Sequence, residues 1–306
     1  MTKKIIILGL VFLFISPLVS AQESESNLNL EWGKLDGETS YTISGPQQGG
    51  FKSELVFPLE TKFIRLNYGQ KLSSTPLGIN KINLSFMKNL DTENNGTMED
   101  SDWLYNWHEQ KKAIYSETKA DLEAESGKVE FLGREHYYNE NINYYFKSGY
   151  RYRNFDYNVH DGIQYNYKYD IEQKIKGKVL EYEVEYHIPY LGVKFRNRKK
   201  NKINWESSLD IAPYVKAEDI DDHILRYKKS TGETEGGALM FNSSLEYNLK
   251  PNFILSVAGS YTKIATDGHQ DQYFYDGKYE GDENKNIDQT IDLESYKVSV
   301  SLNYLF

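Results

Sequence analysis

The sequence predicts an all-β chain: a transmembrane antiparallel β-barrel of about ten strands with long extracellular loops. Three observations predict it. Residues 296–306 alternate, with Tyr296, Val298, Val300, Leu302, Tyr304 and Phe306 set against Lys297, Ser299, Ser301 and Asn303. Such a strand turns one face to lipid and the other to a polar lumen, with aromatic residues at its edges. The pattern recurs. Leu239, Phe241, Leu245 and Tyr247 alternate with polar residues, and after the turn at Pro251-Asn252 so do Phe253, Leu255, Val257 and Tyr261, which makes a hairpin. Finally, no stretch after the first twenty residues could cross a bilayer as a helix. A closed barrel is the sheet that satisfies its backbone in lipid.

Taken in order, the chain opens with Lys3 and Lys4, an apolar run from Ile5 to Val19, and Ser20-Ala21. A basic start, a short apolar centre and small residues at the end predict a secretory signal peptide over residues 1–21, leaving residues 22–306 as one barrel domain. A first hairpin is expected from Leu30–Ile43 and Phe51–Tyr68 around Gly45-Pro46, and a third strand over Ile79–Met87. Further strands are expected over Tyr144–Asn158, Tyr182–Phe195 and Ile203–Pro213, with Pro189 marking a bulge or a strand end because it lacks a donor. The polar stretches 89–121, 161–178, 218–236 and 266–288 are too charged for lipid and are expected as loops on the outside.

Charge and cysteine usage narrow the chemistry. Removal of Lys3 and Lys4 with the signal takes the formal charge from −9 to −11. An acidic balance of this size argues against nucleic acid and suits basic partners or substrates. The chain has no cysteine, which excludes disulfides, thiolate metal sites and a thiol nucleophile.

Two short segments carry reactive groups at strand spacing. Asp100 and Asp102 stand two residues apart before Trp103, and Asp221 and His223 stand two residues apart farther on. In extended backbone each pair projects from one face. Adjacent carboxylates perturb one another, so one of them can keep a proton. A neutral imidazole can take a proton from water while a carboxylate orients it. The two segments are therefore expected to face each other across the barrel mouth with a water between them. The plain alternative for Asp-x-Asp in an acidic stretch is a solvated face. A second alternative is a calcium loop, because Asp91, Glu93, Asn95, Gly96, Glu99 and Asp102 fall at positions 1, 3, 5, 6, 9 and 12 of the EF-hand pattern. His108, His136 and His160 have no carboxylate at the same spacing.

In these residues the chain resembles the omptin family of bacterial outer-membrane endopeptidases. Gly-x-Met-x-Asp-x-Asp-Trp is present as Gly96, Met98, Asp100, Asp102 and Trp103, and Asp-x-Asp-x-His as Asp219, Asp221 and His223. Gly33-Lys34-Leu35-Asp36-Gly37, Ile188-Pro189-Tyr190-Leu191-Gly192 and the last strand support the match over nearly the whole chain. The resemblance implies a ten-stranded barrel standing above the outer membrane, with an extracellular groove that cleaves peptides or proteins. It assigns Asp100 and Asp102 to one side of the attacking water and Asp221 and His223 to the other. It implies no metal and no other cofactor.

The pattern departs from the family at two places. Asp219 matches one of two acids at the base of the family's pocket for basic residues, but Tyr41 stands where the other, a Glu, is expected. Tyr41 is then expected to floor the pocket or to make a cation–π contact, and a basic preference is retained from the acidic charge. The family's lipopolysaccharide face, Tyr-x-Glu-x-Arg, corresponds to Tyr150-Arg151-Tyr152-Arg153-Asn154, which keeps only the Tyr and leaves lipopolysaccharide dependence open. Outer-membrane lipid is expected as a partner in any case. The rival function is a non-enzymatic barrel, either an adhesin or an inactive binder of basic peptides. A lipid-modifying enzyme lacks a Ser with a nearby His, and a porin needs more lumen than about ten strands leave.

Overall fold

The protein is seen here in a computed structural model that describes residues 26–45, 50–72, 75, 78–108, 110–197 and 202–306. The expected signal peptide, its boundary at residue 21 and the turn at 46–49 lie outside the described residues. Strands β1 (Ser26–Gly45), β2 (Phe51–Pro58), β3 (Thr61–Lys71), β4 (Lys81–Asn89), β5 (Thr97–Leu104) and β6 (Ile114–Tyr137) form the first half of the sheet. Strands β7 (Ile142–Asn166), β8 (Ile171–Asn197), β9 (Ile203–His223), β10 (Lys228–Lys250), β11 (Phe253–Phe274) and β12 (Glu283–Leu305) form the second. All pairings are antiparallel, and β12 pairs with β1 over Asn27–Ser44 to close the ring.

Two of the ring's members are split. At the end with the short turns, β1 pairs with β3 and β4 with β6; at the other end β2 pairs with β1 and β5 with β6. Any level of the barrel therefore holds ten strands, although twelve segments build it. Gly37 is where β1 changes partner, between Leu35 opposite Thr61 and Glu38 opposite Pro58. Its φ of 125° suits glycine, and a Cβ there would stand 2.1 Å from the Glu294 carbonyl oxygen.

The second split is bridged by two asparagines. Residues 90–94 leave the ladder, and the side chains of Asn89 and Asn95 take over its hydrogen bonds with β6, next to the backbone bonds that Asn95 and Gly96 keep with Ala120. Asn89 donates to the Leu122 carbonyl (2.7 Å) and accepts from the Ala124 amide (2.9 Å), while Asn95 accepts from the Leu122 amide (2.9 Å). The buried backbone of β6 is thus satisfied where no strand faces it. Glu99 is exposed and Asp102 turns inward on the extended β5, so the ligand ring of the calcium-loop alternative does not form.

Sequence expectation and structure part at the polar stretches. These are mostly strand: β9 and β10 run to a turn of four residues at 224–227, and β7 and β8 to another at 167–170. β6 was not anticipated, because both of its faces carry charge. The Pro189 expectation holds, since the β8–β9 register slips between His187 opposite Lys216 and Leu191 opposite Ile211.

Alternation sorts the side chains into an outer girdle and three inner levels. Toward the short turns the outer face is apolar, with Leu30, Trp32, Leu66, Phe146, Leu191 and Val298 exposed. Inside at that level lie paired charges, among them Lys147 with Asp210 (2.9 Å) and Arg65 with Glu31 (2.9 Å). Above them an aromatic layer crosses the lumen. Phe57 stacks on Tyr182 at 4.3 Å between ring centres, and Tyr41, Tyr157 and Tyr186 fill the remainder, all nearly inaccessible. Acidic residues stand on top of this layer. Phe57→Ala is expected to destabilise the barrel by about 3–5 kcal/mol. Denaturant unfolding of the refolded protein checks this, and a loss below about 1 kcal/mol would show that the layer is not tightly packed.

Candidate active site

The upper cleft is built from strands on nearly opposite sides of the ring, β5 and β9 being four strands apart one way round and six the other. On β5 the inward positions are Met98, Asp100 and Asp102. Their phase follows from Gly96, whose φ of 122° lets the chain pass Pro58 where a Cβ would come within 2.9 Å. On β9 the inward positions are Asp219, Asp221 and His223, all buried.

Both reactive pairs form as expected. His223 Nε2 lies 3.2 Å from Asp221 Oδ2, which leaves Nδ1 as the nitrogen free to accept a proton. Asp102 and His223 line one cavity of about 310 Å³, and Asp100 and His223 line a neighbouring one of about 460 Å³. His223 and Arg226 border both, so the two pairs share a single cleft.

The remaining expectations fare differently. Tyr41 has a buried ring, and its hydroxyl donates to Asp221 Oδ2, so it holds the Asp–His pair instead of meeting a cation. Asp219 lies beneath Gln289, whose amide donates to its Oδ2 at 2.9 Å. Three of the other histidines find carboxylates across strands: His160 with Asp121, His187 with Glu218 and His269 with Asp288. These pairs involve neighbouring strands and are invisible to spacing along one strand. Arg151 and Arg153 point inward and Tyr150 outward, as alternation requires.

Two functional residues escaped the sequence reading. Arg226 lies in the turn after His223 and places Nη2 3.3 Å from Asp102 Oδ2 and 3.9 Å from Asp100 Oδ2. Lys228 opens β10 directly opposite His223, buried and facing the same cleft. The signal was present, since inward alternation along β10 runs Lys228, Ser230, Gly232, Thr234. It could not be read while residues 218–236 were taken for a loop.

The electrostatics follow from burial at close range. Burial and the charge of Asp102 push the Asp100 carboxyl up to about 7, against the pull of Arg226 and Lys228. Burial and the neighbouring Asp221 also raise Asp219 to about 7. Burial alone would raise Asp221 as well. The His223 charge, hydrogen bonds from His223 and Tyr41, and nearby Lys228 bring it below the ordinary range instead. Burial lowers His223, more than Asp221 raises it, so the imidazole is neutral at neutral pH.

The sequence pattern of the omptin family matches residues 24–306. The chain belongs to the omptin family. Omptins are bacterial outer-membrane proteases, and that class and location extend to this chain. Among solved structures, the outer membrane protease OmpT from Escherichia coli aligns with a TM-score of 0.79 at 17% identity, over 94% of this chain and 99% of that one. At such identity the likeness is one of fold. The outer membrane protein OprG from Pseudomonas aeruginosa aligns over 92% and 96% of the two chains at 10% identity, with a TM-score of 0.41. No curated protein matches by sequence.

The raised carboxyl of Asp219 has a consequence for stability. The unfolded chain releases this proton near pH 4 and the folded barrel near pH 7, so stability falls as pH rises through that window. Asp219→Asn removes the cost of the buried charge. It is expected to match the unaltered protein near pH 4 and to exceed it by a few kcal/mol, to order of magnitude, above pH 7. Unfolding midpoints at pH 4 and pH 8 check this, and parallel profiles would exclude it.

Proposed function

We propose that this omptin is a surface endopeptidase whose cleft faces the extracellular side. It hydrolyses peptide bonds with a water held between the Asp221–His223 pair and the Asp100–Asp102 pair. The reading rests on one observation: both pairs border a common cleft, at the end of the barrel away from the apolar girdle. With the girdle in lipid, the end with the Pro251-Asn252 turn lies in the periplasm and the cleft stands above the membrane.

His223 Nδ1 takes a proton from the water, and the hydroxide formed attacks the scissile carbonyl. Asp221 accepts from Nε2–H and stabilises the imidazolium, and Tyr41 holds Asp221 in place as a positioning residue. The oxyanion is met by the proton of Asp100 and by the buried ammonium of Lys228. Collapse of the intermediate breaks the C–N bond, and His223 returns its proton to the leaving amine. Asp100 Oδ1 and Asp221 Oδ1 are buried without a protein partner, so each can accept from a bound water. Asp219 Oδ1 and Gln289 Oε1 are also unpaired acceptors, which favours a basic side chain in the adjacent subsite.

A second reading is a binder of basic peptides without hydrolysis, and Arg226 favours it. Its guanidinium rests against both carboxylates where a substrate must enter. A refolded sample and a fluorogenic peptide containing Lys or Arg separate the two. Cleavage is expected, with kcat/KM falling about 10²–10⁴-fold in His223→Ala and Asp100→Ala while the barrel stays folded. Undiminished activity in both variants would remove the assignment, and absence of cleavage across a peptide library would leave the binder. The pH profile is expected to lose rate above about 7 as Asp100 ionises, and Asp100→Asn to abolish that limb.

A further inference from the structure

The lumen below the aromatic layer contains a cavity of about 60 Å³ lined by Arg65, Lys128, Arg151, Arg153 and Lys297, with no carboxylate in its wall. Two of these cations have protein counter-charges: Glu31 binds Arg65 at 2.9 Å, and Glu130 lies 3.5 Å from Lys128. The other three make no ion pair among the described residues. Arg151 meets the Met240 sulfur (3.3 Å) and the Tyr190 ring (6.0 Å to its centre), and Arg153 the hydroxyls of Ser295 (3.3 Å) and Thr262 (3.0 Å). Both arginines are more than nine-tenths buried, at 8% and 5% exposure. A lysine can shed its proton in such a place, whereas an arginine keeps its charge. Glu31 acts on Lys297 and Asp210 on Arg151 only from beyond ion-pair distance, so these buried charges are incompletely offset and a further counter-charge is favoured.

We infer that this cavity binds a small inorganic anion, of the size and charge of chloride, between Arg151, Arg153 and Lys297. The volume limits the occupant. At about 60 Å³ there is room for a halide together with bound water. Access is available from the periplasmic end, because a wider chamber of about 260 Å³ shares Arg65, Lys128, Arg151 and Lys297 with the cavity. Leu35 and Phe155 border it above, below the aromatic layer, so the site is separate from the upper cleft and does not depend on protease activity.

The test uses the full barrel refolded in non-ionic detergent. Unfolding midpoints are compared in sodium chloride and in sodium gluconate at equal ionic strength, gluconate being too large to enter. The midpoint is expected to be higher in chloride and to climb with its concentration, as for any ligand bound only by the folded state. In Arg151→Met/Arg153→Met the difference between the two salts is expected to vanish. Crystals of the unaltered protein soaked in bromide are expected to show an anomalous peak between the two guanidinium groups, which decides the matter even if the double variant does not fold. Equal midpoints in both salts, an undiminished chloride effect in the variant, or a bromide map empty at that position would overturn the assignment.

Discussion

Closure of the ring governs everything else in this protein. Once β12 is hydrogen-bonded to β1, no sheet edge is left at that seam and every side chain along a strand must point either out or in. With the outer face apolar over part of its height, polar residues at that level collect inside. The interior of a ten-stranded barrel is too narrow to hydrate them freely. Buried charges are therefore built into the architecture. The same compression that pairs Lys147 with Asp210 in the lower lumen brings four acids and a histidine together above.

The chemistry of the cleft is a direct outcome of that crowding. Asp100 and Asp221 are both buried carboxylates, yet they move in opposite directions because their neighbours differ. Each has another carboxylate two positions along its strand and cations nearby, but Asp221 alone has an imidazole against it and hydrogen bonds from His223 and Tyr41. One side of the cleft thus favours a protonated carboxyl and the other an ionised one. The Tyr41 substitution noted in the sequence belongs to the second side. Its hydroxyl restrains the carboxylate that orients His223.

Much of this was legible in the order of residues. Alternation over 296–306 and 239–261 announced the barrel, and i, i+2 spacing announced both reactive pairs, because these features are local and periodic. What escaped was non-local. β6 carries Glu123 and Glu125 on its outer side and Lys128 and Glu130 in the lumen, so its composition resembles that of a loop. Lys228 lies opposite His223 only through the β9–β10 register, and Arg226 meets Asp102 only through the closing of the barrel. Asp121 beside His160 and Glu218 beside His187 likewise come from adjoining strands.

The residues that step out between β4 and β5 have a further consequence. Because the amides of Asn89 and Asn95 occupy the vacated places against β6, the sheet stays sealed whatever the length of the excursion. Insertions or deletions among residues 91–94 should leave the downstream phase intact, whereas a single added residue between Gly96 and Asp100 would rotate the acidic pair onto the outer wall. The barrel thus has a place where its length can drift over evolutionary time, set immediately before a segment whose spacing tolerates no drift at all.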